Sequence, residues 1–253
     1  MEIYMDEKSF STKPSNSSRD VLDFYDLYAE SWDERFGDTE SVGEFHKIRL
    51  GTFIKLAELA KGKTCAELGV GTGPYVTEIA PLVKSLICVD GSKGMLDVLG
   101  KKVKYLKNIK LEQIDLSKPL EKSHFKVDVL YFFGLIEHVI NIDNLMENCR
   151  LMLNDGGKIV VISSNGLSPW YHGLRKPFRV GIHCTTDKYY SRNSLGQIML
   201  DHGFKEEQCI YWGFFPAGVK GIVYKILKVL GSLIERTPLK KFGGGMTISY
   251  IFA

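Results

Sequence analysis

The chain has 253 residues, of which 44% are hydrophobic and 25% are charged; both values are ordinary for a globular protein and exclude the disordered and fibrous classes. The 33 Lys and Arg residues nearly balance the 30 Asp and Glu residues, which gives a net charge of +3. This balance argues against a protein whose main partner is a nucleic acid.

The N-terminal segment, residues 1–40, is predicted to be flexible and to carry an aromatic cap helix. Its polar run over residues 11–18 cannot bury a core, so fraying is expected up to about residue 20. One or two helical turns that contain Tyr25, Tyr28 and Trp32 follow. The acidic start has no apolar stretch typical of a secretory signal, and no run of roughly 18 apolar residues predicts a membrane span.

The five cysteines are widely spread and include no C-x-x-C pair. An odd number without paired spacing argues against a disulfide framework and against a structural zinc site. Together with the missing leader, this pattern predicts a cytoplasmic protein. We expect a monomer or a homodimer.

The rest of the chain, residues 41–253, is predicted to form one domain. A helix is expected from Val42 to Ala60, with Gly62 as its stop. Nearly all-apolar strand patterns then alternate with helical patterns, which predicts a doubly wound, Rossmann-like and mostly parallel α/β sheet with helices on both faces. Strands are expected at 64–68, 85–89, 109–114, 127–132 and 158–162, and helices near 74–83, 92–101 and 142–153.

The C-terminal part of the domain is less regular. Residues 165–190 are predicted to form a long loop or lid that holds Trp170, Tyr171 and His183. A helix near 192–202 and strands at 207–214 and 246–252 follow, which brings the sheet to seven strands.

An amphipathic helix is predicted at about 217–236, before the last strand. Its apolar face is expected to pack on the sheet or to cover a pocket, and weak peripheral contact with a membrane surface is the less favoured alternative. That face consists of Val219, Ile222, Val223, Ile226, Leu230 and Leu233.

A glycine-rich turn follows the first predicted strand. Gly69, Gly71 and Gly73 allow the backbone to turn sharply and to approach a ligand closely. Asp90 ends the second strand, 21 residues after Gly69, where an acid is placed to accept hydrogen bonds from ribose hydroxyls. Together these features predict a nucleoside ligand.

The glycine spacing does not fit a dinucleotide. The G-x-G-x-x-G fingerprint needs a third glycine where Pro74 or Val76 stands. The acidic Glu67 before the turn suits a cationic ligand end better than a pyrophosphate. Two alternatives stay open, namely a nicotinamide-dependent oxidoreductase and a non-catalytic member of the same fold.

The segment from Glu67 to Gly73 resembles motif I of the class I S-adenosylmethionine-dependent methyltransferases. The resemblance spans about residues 60–165, and the nearest subgroup is the small-molecule enzymes similar to those of ubiquinone biosynthesis. It implies S-adenosylmethionine as cofactor, S-adenosylhomocysteine as product, and a last strand inserted antiparallel. The likeness continues through Asp90, Ile114–Leu116, Phe125–Leu130, Glu137–Val139 and Leu153–Ile159.

The resemblance also implies cofactor contacts. The glycines and the backbone near Phe133 are expected to line the methionine part, with Glu67 ordering the turn or holding the amino group. Asp90, followed by Gly91, is expected at the ribose. The adenine is expected to meet Met95, Asp115 and Leu116, although Asp115 is equally able to cap a turn and Met95 to fill the core.

The acceptor is expected to be a small molecule whose oxygen, nitrogen or carbon is methylated. His138 is the candidate general base, with a structural role as the alternative. Gly134 replaces the first carboxylate of a Glu-x-x-Glu-His pattern, so no metal is predicted. Candidate substrate-binding residues are Tyr25, Tyr28, Trp32, Trp170, Tyr171 and His183.

Overall fold

The computed structural model describes residues 17–36, 40–171, 188–215 and 220–252. Its helices within these ranges are α1 (Ser18–Tyr28), α2 (Glu40–Ala57), α3 (Val76–Ile79), α4 (Lys93–Val103), α5 (Ile142–Met152), α6 (Arg192–Asp201) and α7 (Gly221–Ile234). Its strands are β1 (Thr64–Leu68), β2 (Ser85–Asp90), β3 (Ile109–Gln113), β4 (Val127–Phe133), β5 (Leu153–Ser164), β6 (Phe204–Trp212) and β7 (Gly245–Phe252). Short 3₁₀ segments occur at Ala29–Phe36, Ala80–Leu82, Pro169–Tyr171 and Pro238–Phe242.

The seven strands form one sheet in the order β3-β2-β1-β4-β5-β7-β6. Strands β1 to β5 pair in parallel, whereas β7 lies antiparallel between β5 and β6. The predicted mostly parallel sheet with an antiparallel last strand is therefore confirmed. The strand order reverses direction at β1, so the carboxyl ends of β1, β2 and β4 surround the point where such sheets bind ligands.

Apolar side chains fill a layer on each face of the sheet. One layer packs under α5 and α6, with Leu145, Met146, Leu195 and Met199 at its centre. The opposite layer packs under α2, α3 and α4, with Phe53, Leu56, Val76 and Leu99 at its centre. Strands covered on both faces must be apolar at consecutive positions, which explains why they were recognisable in the sequence.

Several element boundaries differ from the predictions. Helix α2 ends at Ala57 instead of Ala60, and Glu58 rather than Gly62 breaks it by adopting a φ of +50°. Helix α3 is only four residues long and continues as the 3₁₀ turn Ala80–Leu82, where Pro81 lacks an N–H donor. Strand β5 starts directly after α5, five residues earlier than expected.

The N-terminal segment contains more helix than predicted. Ser17 caps α1 by accepting the N–H of Arg19 at 3.2 Å, so the helix begins inside the polar run. Residues 1–16 and most of the predicted lid, residues 172–187, lie outside the described part of the chain. Among the described residues, no helix is long and apolar enough to cross a membrane.

Candidate functional site

The turn after β1 depends on its glycines for different reasons. Gly69, Gly71 and Gly73 adopt φ values of +66°, +56° and +69°, which strongly favour glycine. A Cβ on Gly69 would lie 2.6 Å from the side chain of Leu135, and one on Gly73 would collide with Leu99 and Val76. A Cβ on Gly71 would meet nothing within 4 Å. The middle glycine therefore borders open space, whereas the outer two are required by packing.

Asp90 at the end of β2 is tied to this turn. One carboxylate oxygen accepts the N–H of Gly71 at 2.8 Å and the other accepts the N–H of Ser92 at 2.8 Å. Burial raises the pKa of Asp90, although these backbone donors partly offset that rise. The carboxylate is thus held at the glycine turn by the backbone, and its role at a ribose stays a prediction.

Glu67 is buried beneath the turn, where its side chain is 1% exposed. Burial raises its pKa to about 8, while the neighbouring Tyr131 hydroxyl and then the positive charge of Arg49 oppose that rise. Its Oε2 atom has no hydrogen-bond partner within the described part of the protein. A buried acceptor without a partner is costly, so the site offers unused capacity for a donor or a cation.

Arg49 of α2 is a site residue that the sequence analysis missed. Its guanidinium lies 5.3 Å from the ring centroid of Phe133 and 5.9 Å from that of Tyr75. A Cβ on Gly134, just after β4, would lie 3.0 Å from its Nη2 atom. This places a cation between the ends of β1 and β4, but no motif distinguishes it from other arginines on amphipathic helices.

His46 joins this cluster from the preceding turn of α2. Its Nδ1 atom and the hydroxyl of Tyr75 lie 2.6 Å apart, within hydrogen-bond distance. Burial, and then the positive charge of Arg49, lower the pKa of His46. Tyr75 also packs against Phe133 with a centroid distance of 4.5 Å. These contacts fix the side chains that face the carboxyl ends of β1 and β4.

The N-terminal segment lies across the predicted nucleoside site. The hydroxyl of Ser18 donates to Asp115 Oδ2 at 3.3 Å. Asp26 accepts from Ser92 Oγ at 2.6 Å and from the N–H of Gly94 at 2.7 Å. In the following 3₁₀ turn, Asp33 accepts from Thr72 Oγ1 at 2.6 Å. Polar contacts from Ser18, Asp26 and Asp33 therefore reach the loops after β1, β2 and β3.

Side chains of α1 also cover the predicted cofactor residues. A Cβ on Gly91 would lie 2.5 Å from Leu22, so this glycine is needed for close approach of the helix. Met95 is 1% exposed and packs in one cluster with Tyr25 and Trp32. Its burial fits the packing alternative, and contact with an adenine stays a prediction.

The loop after β3 places Asp115 and Leu116 together. Asp115 accepts the N–H of Ser117 at 3.1 Å and pairs with Lys118 at 3.0 Å, so it does cap a turn. Leu116 is buried in the core layer under α5 and α6. Part of Asp115 stays accessible, since 17% of its side chain is exposed.

Of the predicted acceptor residues, Tyr25 lies beside His138 and also contacts Trp32. The ring of Tyr25 lies 6.0 Å from that of His138 and 5.2 Å from that of Trp32. Tyr28 packs on Phe24 with a centroid distance of 4.7 Å. The chain thereby places an aromatic wall beside the one residue predicted to act as a base.

Of the remaining predicted acceptor residues, Trp170 lies in the 3₁₀ segment Pro169–Tyr171 that follows β5. The Cδ1 atom of Trp170 would lie 3.6 Å from a Cβ on Gly244, at the start of β7. The side chain of Tyr171 and the whole of His183 lie outside the described residues. The lid prediction therefore stays a prediction.

Glu137 has a structural role, which differs from the catalytic role predicted for the neighbouring His138. Its Oε1 atom accepts the N–H of Ser164 at 2.7 Å, and its carbonyl accepts the N–H of Lys188 at 3.1 Å. These bonds tie the loop after β4 to the end of β5. Across the described ranges, no group of three or more His, Cys, Asp or Glu residues is arranged to hold a metal ion.

A small, mostly apolar pocket opens between α2 and the end of β6. The sequence analysis missed it, because its walls come from segments far apart in the chain. It is lined by Ser41, Phe45, Ile48, Trp212, Gly213 and Phe215.

Comparison with known proteins agrees with this architecture. A family model described as a methyltransferase domain matches residues 45–208. Curated ubiquinone biosynthesis O-methyltransferases of Coxiella burnetii are 24% identical over 149 residues, which cover 58% of this chain and 62% of theirs. The match thus spans less than two thirds of the length of these relatives.

Solved structures share the fold at low sequence identity. The complex of DhpI with SAH has a TM-score of 0.62 and 16% identity, and the match covers 92% of this chain and 95% of that one. An S-adenosylmethionine-dependent methyltransferase from Mesorhizobium loti has a TM-score of 0.57 and 13% identity, covering 79% and 96% of the two chains.

The family match extends over more than half of the chain and includes the glycine turn, Asp90 and His138. It decides against the nicotinamide-dependent alternative, which the spacing of Pro74 and Val76 already disfavoured. The sheet order and the antiparallel last strand agree with the same family. The chain therefore belongs to the methyltransferase domain family.

Proposed function

We propose that this chain methylates a hydroxyl group of a small molecule at the carboxyl ends of β1, β2 and β4. One observation carries the proposal: Asp90 is hydrogen-bonded to Gly71, whose missing Cβ leaves open space in front of the turn. A carboxylate and an unobstructed backbone in that arrangement suit a ribose and its substituents.

The residues around this space fit the charges of S-adenosylmethionine. Glu67 has a buried oxygen without a partner and suits the ammonium end of the methionine part. Arg49 supplies a positive charge for the carboxylate end, and its planar guanidinium is able to bind a carboxylate with two hydrogen bonds. Asp90 would hold the ribose, and Asp115 with Leu116 would hold the adenine. When bound, the cofactor supplies an electrophilic methyl group on a sulfonium.

The chain itself contributes positioning and exclusion of water. Alignment of an acceptor with a reactive carbon lowers the barrier by converting a bimolecular encounter into a local one. The N-terminal segment, through Ser18, Asp26 and Asp33, covers the loops that surround the site. That cover limits access of water, which would otherwise solvate the acceptor.

His138 is proposed to take up the proton that a hydroxyl acceptor loses on methylation. An imidazole ring nitrogen is able to accept a proton from a bound hydroxyl group. The ring of Tyr25 lies 6.0 Å from that of His138, so an aromatic acceptor would find a stacking surface beside the base. The name of the Coxiella burnetii relatives, which are O-methyltransferases, supports oxygen over nitrogen or carbon.

The experiment that tests the proposal uses S-adenosylmethionine with a labelled methyl group. The purified chain is incubated with whole extract of its source cells, and labelled products are identified by mass spectrometry. We expect a labelled methyl ether whose yield falls when Asp90→Ala replaces the wild-type chain at a limiting concentration of the cofactor. Tight binding of S-adenosylmethionine by calorimetry without any labelled product would favour a non-catalytic family member, and labelled nucleic acid would contradict a small-molecule acceptor.

A further inference from the structure

The apolar face of the amphipathic helix was predicted to pack on the sheet or to cover a pocket. This prediction is wrong for the described side chains of that face, because they are exposed. In α7, Ile222, Val223, Ile226, Leu230 and Leu233 are between 47% and 70% exposed, and Val219 lies outside the described residues. Val229 extends the same stripe and is 62% exposed.

Helix α7 packs through a different arc of its surface. Tyr224 is 2% exposed, and Gly231 lies against Phe214 and Phe215 in the connection after β6. Lys228 pairs with Glu44 of α2 at 2.8 Å. The helix is thus fixed to the domain by one side while a second apolar side, about 14 residues long, faces outwards.

The exposed stripe continues into the next turn. Leu239 and Phe242 of the 3₁₀ segment Pro238–Phe242 are 56% and 40% exposed. Lys240 and Lys241 lie in the same turn, and the Nζ atom of Lys241 is 5.3 Å from the ring centroid of Phe242. Aromatic, leucine and lysine side chains together in one exposed turn are typical of segments that enter a membrane interface.

The charge of this region is strongly one-sided although that of the whole chain is not. Residues 220–242 contain six Lys and Arg residues and one acidic residue, Glu235, whereas the full chain carries +3. An anionic lipid surface attracts such a cluster of basic side chains. A second copy of the chain would instead bring two clusters of like charge together, which is unfavourable.

We propose that α7 and the turn Pro238–Phe242 form a docking surface for an anionic lipid bilayer. The helix is too short to span a bilayer, since 14 residues reach only about 21 Å. It lies in the plane of the interface, with Ile226 and Leu230 among the acyl chains and the basic side chains at the headgroups. This surface connects β6 to β7 at the carboxyl edge of the sheet, the same edge that carries Gly71 and Asp90.

Flotation of the full chain with lipid vesicles tests the proposal. Vesicles of phosphatidylcholine alone are compared with vesicles of phosphatidylcholine and phosphatidylglycerol, at low and at high salt. We expect binding to the anionic vesicles at least about tenfold stronger than to the neutral ones, and weaker at high salt because charges are screened.

Matched variants test whether vesicle binding depends on the exposed apolar stripe of α7 or on surface hydrophobicity in general. The double variant Ile226→Asp with Leu230→Asp should lose more than about tenfold in vesicle binding, because two buried aliphatic contacts become charges. Leu200→Asp on α6, where Leu200 is 57% exposed, should bind like the wild type. Lys240→Glu with Lys241→Glu should also lose binding, whereas the equal charge change Lys104→Glu with Lys107→Glu at the amino edge should not.

Three outcomes would overturn the proposal. The docking surface is excluded if the wild type does not bind vesicles. It is also excluded if the variant with Ile226→Asp and Leu230→Asp still binds them. Sedimentation that shows a wild-type dimer dispersed by the same variant assigns the stripe to a subunit interface. Binding of S-adenosylmethionine, measured by calorimetry on the same preparations, is expected to be unchanged, so failure of docking and failure of the proposed enzymatic function are distinguishable.

Discussion

The carboxylate of Asp90 accepts a hydrogen bond of 2.8 Å from the backbone N–H of Gly71, so the end of β2 and the middle of the glycine turn are held together. The second carboxylate oxygen is fixed in the same way by Ser92. Each carboxylate oxygen is able to accept more than one hydrogen bond. Asp90 therefore retains capacity for two hydroxyl donors while its position is set by the backbone.

Replacement of Asp90 is expected to weaken cofactor binding. Asp90→Ala should lower the affinity for S-adenosylmethionine by at least about tenfold, since a hydrogen bond to a charged group contributes about 1.5–3 kcal/mol. Asp90→Asn keeps one acceptor oxygen and should lose less. Asp97→Ala on α4, where the side chain is 58% exposed, is the control. Calorimetry that finds equal affinities in Asp90→Ala and wild type would remove the ribose assignment.

Arg49 is expected to affect binding of the cofactor more than the fold. Arg49→Met keeps the length of the side chain and removes the charge, so we expect a rise of about tenfold in KM for S-adenosylmethionine, consistent with loss of one charge-assisted contact. Lys47→Met, an exposed neighbour on α2, should leave KM unchanged. A drop in Tm with unaltered KM would show that Arg49 only supports Tyr75 and Phe133.

The parallel sheet and the glycine turn were predictable because both depend on local sequence. Strands covered on two faces are continuously apolar, and three closely spaced glycines before an acid have few structural alternatives. The position of Arg49 depends on the packing of α2 against the ends of β1 and β4, which no local pattern encodes. The contacts of Ser18 and Asp26 join segments more than 60 residues apart and were unpredictable for the same reason.

The outward face of α7 illustrates a second limit of prediction from the sequence. Amphipathic spacing predicted the helix correctly, but the apolar arc of α7 is wider than the surface that the domain covers. Tyr224 and Gly231 face inwards, and Ile226 on another side does not. A hydrophobic pattern indicates which residues prefer to leave water, and it does not say whether protein or lipid receives them.

His138 is expected to act in catalysis and not in folding. His138→Gln should reduce kcat by about 10²–10⁴-fold if the acceptor loses a proton, the usual contribution of a general base. The Tm should stay close to that of the wild type. Glu137→Leu serves as the contrast, because it removes the acceptor for the N–H of Ser164 and should lower Tm. A kcat for His138→Gln equal to that of the wild type would assign His138 a structural role.

The buried Glu67 makes stability depend on pH in a defined direction. Its pKa is about 8 in the folded chain against an ordinary value of 4.5, so the folded state holds a proton that the unfolded state releases between these values. Stability from this group therefore falls as pH rises from about 4.5 to 8. Glu67→Gln lacks this titration. Its Tm should match that of the wild type near pH 4.5 and exceed it increasingly up to pH 8; a constant difference would contradict the shifted pKa.

Two glycines of the same turn provide the sharpest comparison. Gly73→Ala places a methyl group against Leu99 and Val76 at a φ of +69°, and strain plus overpacking should cost about 2–5 kcal/mol in the free energy of unfolding. Gly71 has a similar φ of +56°, and a Cβ on it would meet no atom within 4 Å. Gly71→Ala should therefore lower the free energy of unfolding by only about 1–2 kcal/mol. Its methyl group enters the space proposed for the cofactor, however, and affinity for S-adenosylmethionine should fall steeply. Urea unfolding and calorimetry on both variants separate the two effects. Normal affinity in Gly71→Ala would mean that the open space before the turn is not where the cofactor binds.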